Sequence, residues 1–153
     1  MSRTYDLKRV ELLPRPLAEI FPFFADAANL ERITPSFLRF RILTPLPIRM
    51  EQGALIDYRI QICGLPQRWR TLIEVYEPPR RFVDVQVKGP YRLWRHLHEF
   101  EEAPGGTLVS DRVEYALPLG VLGALAHALF VRRMLKRIFD YRSRVLAEIF
   151  GAK

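Results

Sequence analysis

Cysteine is nearly absent from this sequence, and Cys63 is the only one in 153 residues. A single thiol excludes an internal disulfide and a cysteine-rich zinc site. Long apolar runs are also missing, since none approaches the ~20 residues that a membrane-spanning helix needs. The opening residues, from Met1 to Asp6, lack the apolar core of a signal peptide. Together these absences predict a soluble cytoplasmic protein.

Several catalytic signatures are absent as well. The chain has no G-x-S-x-G turn, no Walker loop, no G-x-G-x-x-G turn and no H-E-x-x-H pair. Hydrolase, nucleotide-dependent and dinucleotide-dependent functions are therefore disfavoured. Cys63 ends a predicted strand beside a turn and has no obvious base nearby, which favours a structural role over a nucleophilic one. We predict no cofactor.

Positive charge is concentrated near the C-terminus. The formal net charge is +7, and residues 132–153 carry seven basic residues against Asp140 and Glu148, or +5 of that total. Such a segment can bind nucleic acid, contact an anionic membrane or form a solvated helix face, and the last is the most frequent. No base-reading element accompanies the segment, and aromatic residues do not alternate with its basic residues as stacking platforms would. We predict no nucleic-acid partner.

The predicted elements are a strand, two short helices, a series of strands and one long helix. The strands cover residues 5–13, 37–43, 54–63, 68–75, 82–87, 93–101 and 107–117. Turn residues separate them at short intervals, which favours an antiparallel meander. From Val121 to Phe150 the apolar residues recur three and four apart, and this spacing predicts one helix of about 45 Å. A single helix laid across a curved sheet leaves space at one end, so we predict one α+β domain over residues 1–153 with an apolar cavity.

The most informative segment is residues 94–100, where Trp94, His96, His98 and Phe100 share one face of a strand. The aromatic residues identify this face as the inner one. The short connection at residues 103–106 predicts a register in which His98 lies opposite Asp111. A carboxylate across from an imidazole is well placed to accept its hydrogen bond and select its tautomer.

Three roles are compatible with the His98–Asp111 pair: a satisfied buried pair, a ligand anchor, or a general base oriented by a carboxylate. The dyad alone supplies no nucleophile or oxyanion hole, so His98 and Asp111 remain the only catalytic candidates. The residues expected to contact a ligand from the inner face are Tyr58, Trp69, Ile73, Trp94, His96, His98, Phe100, Asp111 and Tyr115.

Two further features concern the same face. His96 and His98 with a nearby acid could form a two-histidine, one-carboxylate metal site, but the surrounding spacing departs from cupin metal motifs and no second histidine motif follows. We predict no metal. Asp84 and Gln86 alternate with three valines, and the pattern favours valines inward; a register shift of one residue would instead turn the polar pair toward the cavity. The sequence leaves that choice open.

The start of the long helix is almost wholly apolar over residues 117–131, and Arg132, Arg133, Lys136 and Arg137 follow at once. The segment could be buried against the sheet with its basic residues in water. Alternatively it makes a peripheral membrane contact, with apolar residues inserted and basic residues on anionic headgroups. The sequence does not indicate the oligomeric state.

With this element order, the chain resembles the START-like, SRPBCC-type helix-grip superfamily, which includes polyketide cyclases, lipid-transfer domains and coenzyme-Q-binding proteins. The resemblance runs over nearly the whole chain. Its marks are Pro16, Ile20, Phe21, Leu30, Ile33-Thr34-Pro35, Gly89-Pro90-Tyr91, Trp94-x-His96-x-His98-x-Phe100, Asp111-Arg112-Val113-Glu114-Tyr115 and Phe139-Asp140-Tyr141-Arg142. It implies a curved antiparallel sheet wrapped around a long C-terminal helix, with two short helices after the first strand and a ligand cavity. It carries over no catalytic residue.

The expected function is binding of a small hydrophobic ligand as a carrier or sensor, without catalysis. The ligand would be a lipid, an isoprenoid quinone or an aromatic, polyketide-like metabolite. The alternative is a polyketide cyclase or dehydratase that uses the His98–Asp111 dyad as general base, without metal or nucleotide cofactor. A third possibility is an interaction module with no small ligand.

Overall fold

The computed structural model describes residues 3–151. One seven-stranded antiparallel sheet has the order β1-β7-β6-β5-β4-β3-β2. The strands are β1 (Thr4–Leu13), β2 (Arg41–Ile42), β3 (Leu55–Ile62), β4 (Leu65–Glu77), β5 (Arg81–Lys88), β6 (Leu93–Ala103) and β7 (Gly106–Ala116). Consecutive strands from β2 to β7 are neighbours, and β1 pairs with β7. The predicted meander is confirmed.

The helices lie at the two predicted places in the chain. After β1 come α1 (Leu17–Phe24) and two 3₁₀ helices, Ala27–Ile33 and Ser36–Leu38. Asp26 caps the first 3₁₀ helix, because its carboxylate accepts the Ala28 N–H at 3.0 Å. The C-terminal helix consists of α2 (Gly120–Ala126), a π turn (His127–Val131) and α3 (Arg132–Phe150). The predicted long helix is therefore confirmed, with a π turn within it.

Two apolar clusters join the sheet to the helices. Leu135 and Phe139 of α3 pack in one cluster with Val113, while Leu146 packs in the other with Phe21. Their spacings of four and seven residues place these α3 side chains on one helical face. This face is the one that the sheet covers, and the fold is the predicted helix grip.

Two strand boundaries differ from the sequence prediction. Residues 37–43 form only the two-residue strand β2, because Leu38 still belongs to a 3₁₀ helix and Arg39 has a positive φ of 46°. The turn between β3 and β4 is also shorter than expected. Cys63 and Gly64 have φ values of 51° and 78°, the left-handed pair that a two-residue hairpin needs, so β4 already begins at Leu65.

The β6–β7 register agrees with the prediction, since His98 lies opposite Asp111 and Trp94 opposite Tyr115. Which face of β5 points inward, in contrast, depends on its pairing with β4, and the sequence pattern does not indicate that pairing. The β4–β5 register shifts between Ile73 and Val75, and Ile73 lies opposite Asp84. The extra residue, Glu74, lies in β4 and turns that strand over relative to β5, so that Asp84 pairs with the buried Ile73. Asp84 therefore faces inward, and the preference for inward valines is wrong at this position.

Candidate functional site

A cavity of about 180 Å³ lies between the concave face of the sheet and α3. Its wall is mostly aliphatic and aromatic. The sheet contributes β3, β4, β5 and β6, while α3, the end of α1 and the segment between α1 and β3 complete the enclosure. A dry cavity of roughly 150 Å³ accommodates a benzene ring in another protein. The space is thus large enough for a ring-sized apolar group.

Six of the nine predicted ligand contacts line this cavity: Tyr58, Trp69, Ile73, Trp94, His96 and His98. The other three lie outside its lining. Phe100 packs on Phe21 at 5.2 Å between ring centroids. Tyr115 shares a 2.7 Å hydrogen bond with Nε2 of His127, and Asp111 lies behind the histidines. Alternation along β6 and β7 identifies the correct face, but the cavity spans only part of its length.

Two imidazoles and two carboxylates form a compact cluster at the polar end of the cavity. The rings of His96 and His98 stack with centroids 3.7 Å apart. Nε2–H of His96 donates to Oδ1 of Asp111 at 2.7 Å, and Nε2–H of His98 donates to Oδ2 of Asp84 at 2.5 Å. Each imidazole thus has its own carboxylate.

These hydrogen bonds cross the strand register. His98 lies opposite Asp111 and His96 lies opposite Asp84, yet each histidine bonds to the carboxylate diagonal to it. Nδ1 of His98 is 3.6 Å from Oδ1 of Asp111 and makes no hydrogen bond there. The predicted His98–Asp111 dyad is therefore wrong as a hydrogen-bonded pair. Diagonal neighbours on a twisted sheet are within reach of long side chains, and this twist is absent from a sequence pattern.

Arg142 of α3 completes the cluster. Its Nη2–H donates to Oδ1 of Asp111 at 3.2 Å, and its guanidinium lies over the rings of Phe24 and Phe139. The side chain is almost fully buried. The count of basic residues in 132–153 does not distinguish this buried guanidinium from the solvated ones. The signal was available, because position 142 falls three residues after Phe139 and four before Leu146, on the buried stripe of the helix.

The carboxylates of this cluster are ionised at neutral pH. Burial acts to raise the pKa of Asp111, but Arg142 and the hydrogen bond from His96 outweigh it, and the pKa lies well below its usual range. Burial likewise acts to raise the pKa of Asp84, but the hydrogen bond from His98 prevails and leaves it lowered. A carboxylate can only accept, so the proton of each bond resides on the histidine.

His98 is neutral at neutral pH. Burial, followed by the neighbouring His96, lowers its pKa from 6.5 to about 4 despite the hydrogen bond to Asp84. Because Nε2 carries the proton that Asp84 accepts, Nδ1 of the neutral ring carries a lone pair. That atom is buried and has no partner.

Three buried side-chain nitrogens within residues 3–151 lack a hydrogen-bond partner: Nε1 of Trp69, Nδ1 of His98 and Nε of Arg142. All three side chains line the cavity. Buried polar atoms are almost always paired, and each unpaired one costs about 1–3 kcal/mol. The buried side chains with an unmet hydrogen bond in residues 3–151 are thus gathered around one cavity, as expected where a bound molecule supplies the partners.

A divalent metal would also find donors here. Asp84, His96 and His98 each offer one ligand atom, and these atoms lie within 4.8 Å of one another. Two imidazoles and one carboxylate suit several transition metals. However, the cation of Arg142 lies in the same cluster, and the donors already bond to one another. A metal would have to separate the imidazole of His98 from the carboxylate of Asp84.

Solved structures of the same fold cover almost the entire chain. Protein CV1439 from Chromobacterium violaceum is 10% identical with a TM-score of 0.74, over 97% of this chain and 98% of that one. Major latex-like protein 151 from Panax ginseng is 10% identical with a TM-score of 0.69, over 97% and 99%. The di-domain ARO/CYC StfQ of the steffimycin biosynthetic pathway is 17% identical with a TM-score of 0.72, over 97% of this chain and 50% of that one.

At these identities the likeness shows the helix-grip fold alone. No curated protein is detectably similar to this chain in sequence. A family model does match, over residues 13–139, and that span runs from the end of β1 into α3. It includes every residue of the polar cluster except Arg142. This chain is a member of the family described as polyketide cyclase / dehydrase and lipid transport.

Proposed function

We propose that this protein binds a small, largely apolar molecule in the internal cavity, as a carrier or sensor. The observation that carries the proposal is that the three side chains with an unpartnered buried nitrogen all line the cavity. Aromatic and aliphatic side chains supply most of the contact area, while a few polar atoms set the orientation. The ligand therefore has a ring-sized or chain-like apolar body.

The polar atoms of the wall indicate which groups the ligand carries. Trp69 and Arg142 each present an unpartnered N–H, which requires an acceptor such as a carbonyl or hydroxyl oxygen. Two ionised carboxylates, Asp84 and Asp111, face only one guanidinium within the cluster. A further buried negative charge would be repelled and costly to desolvate. A neutral carbonyl compound, such as a quinone or an aromatic ketone, fits better than a carboxylate.

Native mass spectrometry of the freshly purified protein, followed by organic extraction, tests this proposal. We expect a stoichiometric apolar passenger that carries at least one neutral oxygen. Trp69→Phe keeps an aromatic ring but removes the N–H, and it should reduce retention of the passenger. Leu65→Ala, at an exposed position outside the cavity lining, is the matched control. An empty protein that also binds no member of a quinone and aromatic ketone panel would contradict the proposal.

One observation favours a second function, a cyclase or dehydratase reaction. The lone pair on Nδ1 of His98 is free, and the opposite nitrogen of the ring donates to the carboxylate of Asp84. A carboxylate–imidazole pair of this kind can accept a proton from a substrate that reaches Nδ1, which lies 3.6 Å from Oδ1 of Asp111. Asp84, and not Asp111, would then be the orienting residue.

Turnover of a panel of β-keto and aromatic substrates separates this function from simple binding. A general base must be deprotonated, so the rate should rise with pH through the lowered pKa of His98, near 4, and stay level above it. His98→Ala should abolish turnover, while the exposed-site variant Leu65→Ala should retain it. Turnover that survives His98→Ala would exclude His98 as the base.

A further inference from the structure

The first turns of the C-terminal helix expose an unusual amount of apolar surface. We define the helix-start patch as Leu119, Val121, Leu122, Leu125, Leu129 and Phe130, whose exposed fractions run from 42% to 86%. Between positions 120 and 130 only Gly123 and His127 are buried. A contiguous apolar surface of this kind marks a contact site more often than an ordinary solvated helix face.

Two contacts fix the inner side of this helix segment. Gly123 approaches the preceding segment so closely that an added Cβ would lie 2.2 Å from the carbonyl oxygen of Pro118. His127 anchors the other end of the patch, because it bonds to Tyr115 and stacks on Tyr5 at 3.5 Å. The helix is thus fixed by its inner side, while its apolar outer side is left uncovered.

Basic residues continue the same outer side. Arg132, Arg133, Lys136 and Arg137 are all exposed and follow the patch within two turns. They lie on the same helix as Leu125 and Leu129, directly beyond the π turn. Lys136 pairs with Asp140 at 2.7 Å, and Arg137 lies over the ring of Phe37 at 4.6 Å. The surface is therefore apolar at its start and cationic directly beyond.

The cationic end adjoins the wall of the cavity. Phe37, which Arg137 covers, is followed in sequence by Leu38 and Phe40, and both of these line the cavity. On the helix side, Met134 and Leu135 lie between the basic pairs and also line it. The helix turn that carries the basic residues on its outer side therefore lines the cavity with its inner side.

From these observations we propose that the helix-start patch docks this protein onto an anionic lipid membrane. The apolar side chains enter the boundary between headgroups and acyl chains, and the four basic residues meet the lipid phosphates. The contact is peripheral, since no helix within residues 3–151 has both the length and the apolar character to cross a bilayer. A second copy of the chain fits less well. A symmetric dimer with parallel helices would bring two cationic clusters together, and one with antiparallel helices would leave each cluster without an anionic partner.

Vesicle flotation tests the proposal. The wild-type protein should float with vesicles that contain about 30% anionic lipid and should bind far less to neutral phosphatidylcholine vesicles. Leu125→Glu/Leu129→Glu should reduce binding to anionic vesicles by about tenfold or more, because two charges replace inserted side chains. Arg132→Ala/Arg133→Ala should weaken it and reduce its sensitivity to salt.

Leu65→Glu is the matched control, since Leu65 is about as exposed as Leu129 but lies in the β3–β4 hairpin. It should bind like the wild type. Thermal unfolding midpoints close to that of the wild type show that each variant is folded. The proposal is overturned if the wild type does not bind anionic vesicles or if Leu125→Glu/Leu129→Glu binds them as well as the wild type does. It is also overturned if sedimentation reveals a dimer that Leu125→Glu/Leu129→Glu dissociates.

Discussion

The buried, neutral His98 makes the stability of this protein depend on pH in a defined direction. Its pKa falls from 6.5 to about 4 on folding, chiefly through burial. Between these two pH values, His98 is protonated in the unfolded chain and neutral in the folded chain. The free energy of unfolding therefore rises with pH from about 4 to 6.5 and is lost as the pH falls through that window.

The size of this effect follows from the shift. One pKa unit corresponds to 1.36 kcal/mol, so lowering the pKa from 6.5 to about 4 contributes about 3 kcal/mol of pH-dependent stability. The buried carboxylates act in another range. Asp84 and Asp111 have lowered pKa values, so their contribution is present above about pH 4 and is lost only below it. A scan from pH 7 to 4 avoids the titration of these two carboxylates. Glu11, whose pKa burial raises, cancels when two proteins that both contain it are compared.

Urea unfolding of the wild type and of His98→Gln at several pH values measures the contribution of His98. The glutamine amide can still donate to Asp84 but does not titrate in this range. The difference in unfolding free energy between the two proteins should fall by about 3 kcal/mol from pH 7 to pH 4. His127, whose pKa burial also lowers, is present in both proteins and cancels.

A difference that stays constant with pH would refute this reasoning, because His98 would then titrate alike in both states. A difference that grows as the pH falls would show that folding raises the pKa of His98. His98 would in that case be an imidazolium held by Asp84, and its nitrogen could not act as a general base at neutral pH.

Four further outcomes follow from the structure. Arg142→Met should destabilise the fold by about 3–5 kcal/mol in urea unfolding, since Asp111 stays buried without its cation, and a second change, Asp111→Leu, should recover most of that loss. Trp69→Phe should cost about 0.5–3 kcal/mol in urea unfolding, because a smaller ring fills a buried site while the lost indole N–H has no partner, and it should weaken ligand binding about three- to tenfold by calorimetry. Leu146→Ala should cost about 2–5 kcal/mol at a fully buried site, whereas Leu129→Ala at an exposed site should stay within about 0.5 kcal/mol in the same assay. Elemental analysis should find no stoichiometric transition metal, and one metal per chain that the two-histidine, one-carboxylate cluster retains would contradict the prediction that no metal is bound.

Much of the fold follows from periodicity alone. Alternation of two identifies the strands and the inner face of β6, and spacing of three and four identifies the long helix. The short connection at residues 103–106 determines the β6–β7 register, and with it the pairing of His98 opposite Asp111. These inferences are local, because each depends on residues close together in the chain.

The candidate site depends on contacts that are distant in sequence. Asp84 faces the cavity because a bulge in β4 turns that strand over relative to β5 and sets Asp84 opposite Ile73. The alternation of valines in β5 contains no sign of this bulge. Arg142 reaches Asp111 across 31 positions, from a helix whose charged residues otherwise meet water. Sheet twist then decides which carboxylate each histidine bonds.

Hydrophobic periodicity thus suffices to predict the order of elements and the inner face of the sheet, because it records which side of each element is buried. Tertiary structure alone decided that Asp84 joins the histidines, that Arg142 balances Asp111, and that the helix-start patch remains uncovered. Those outcomes depend on bulges, twist and the distance between layers, and none of these is a property of any single segment.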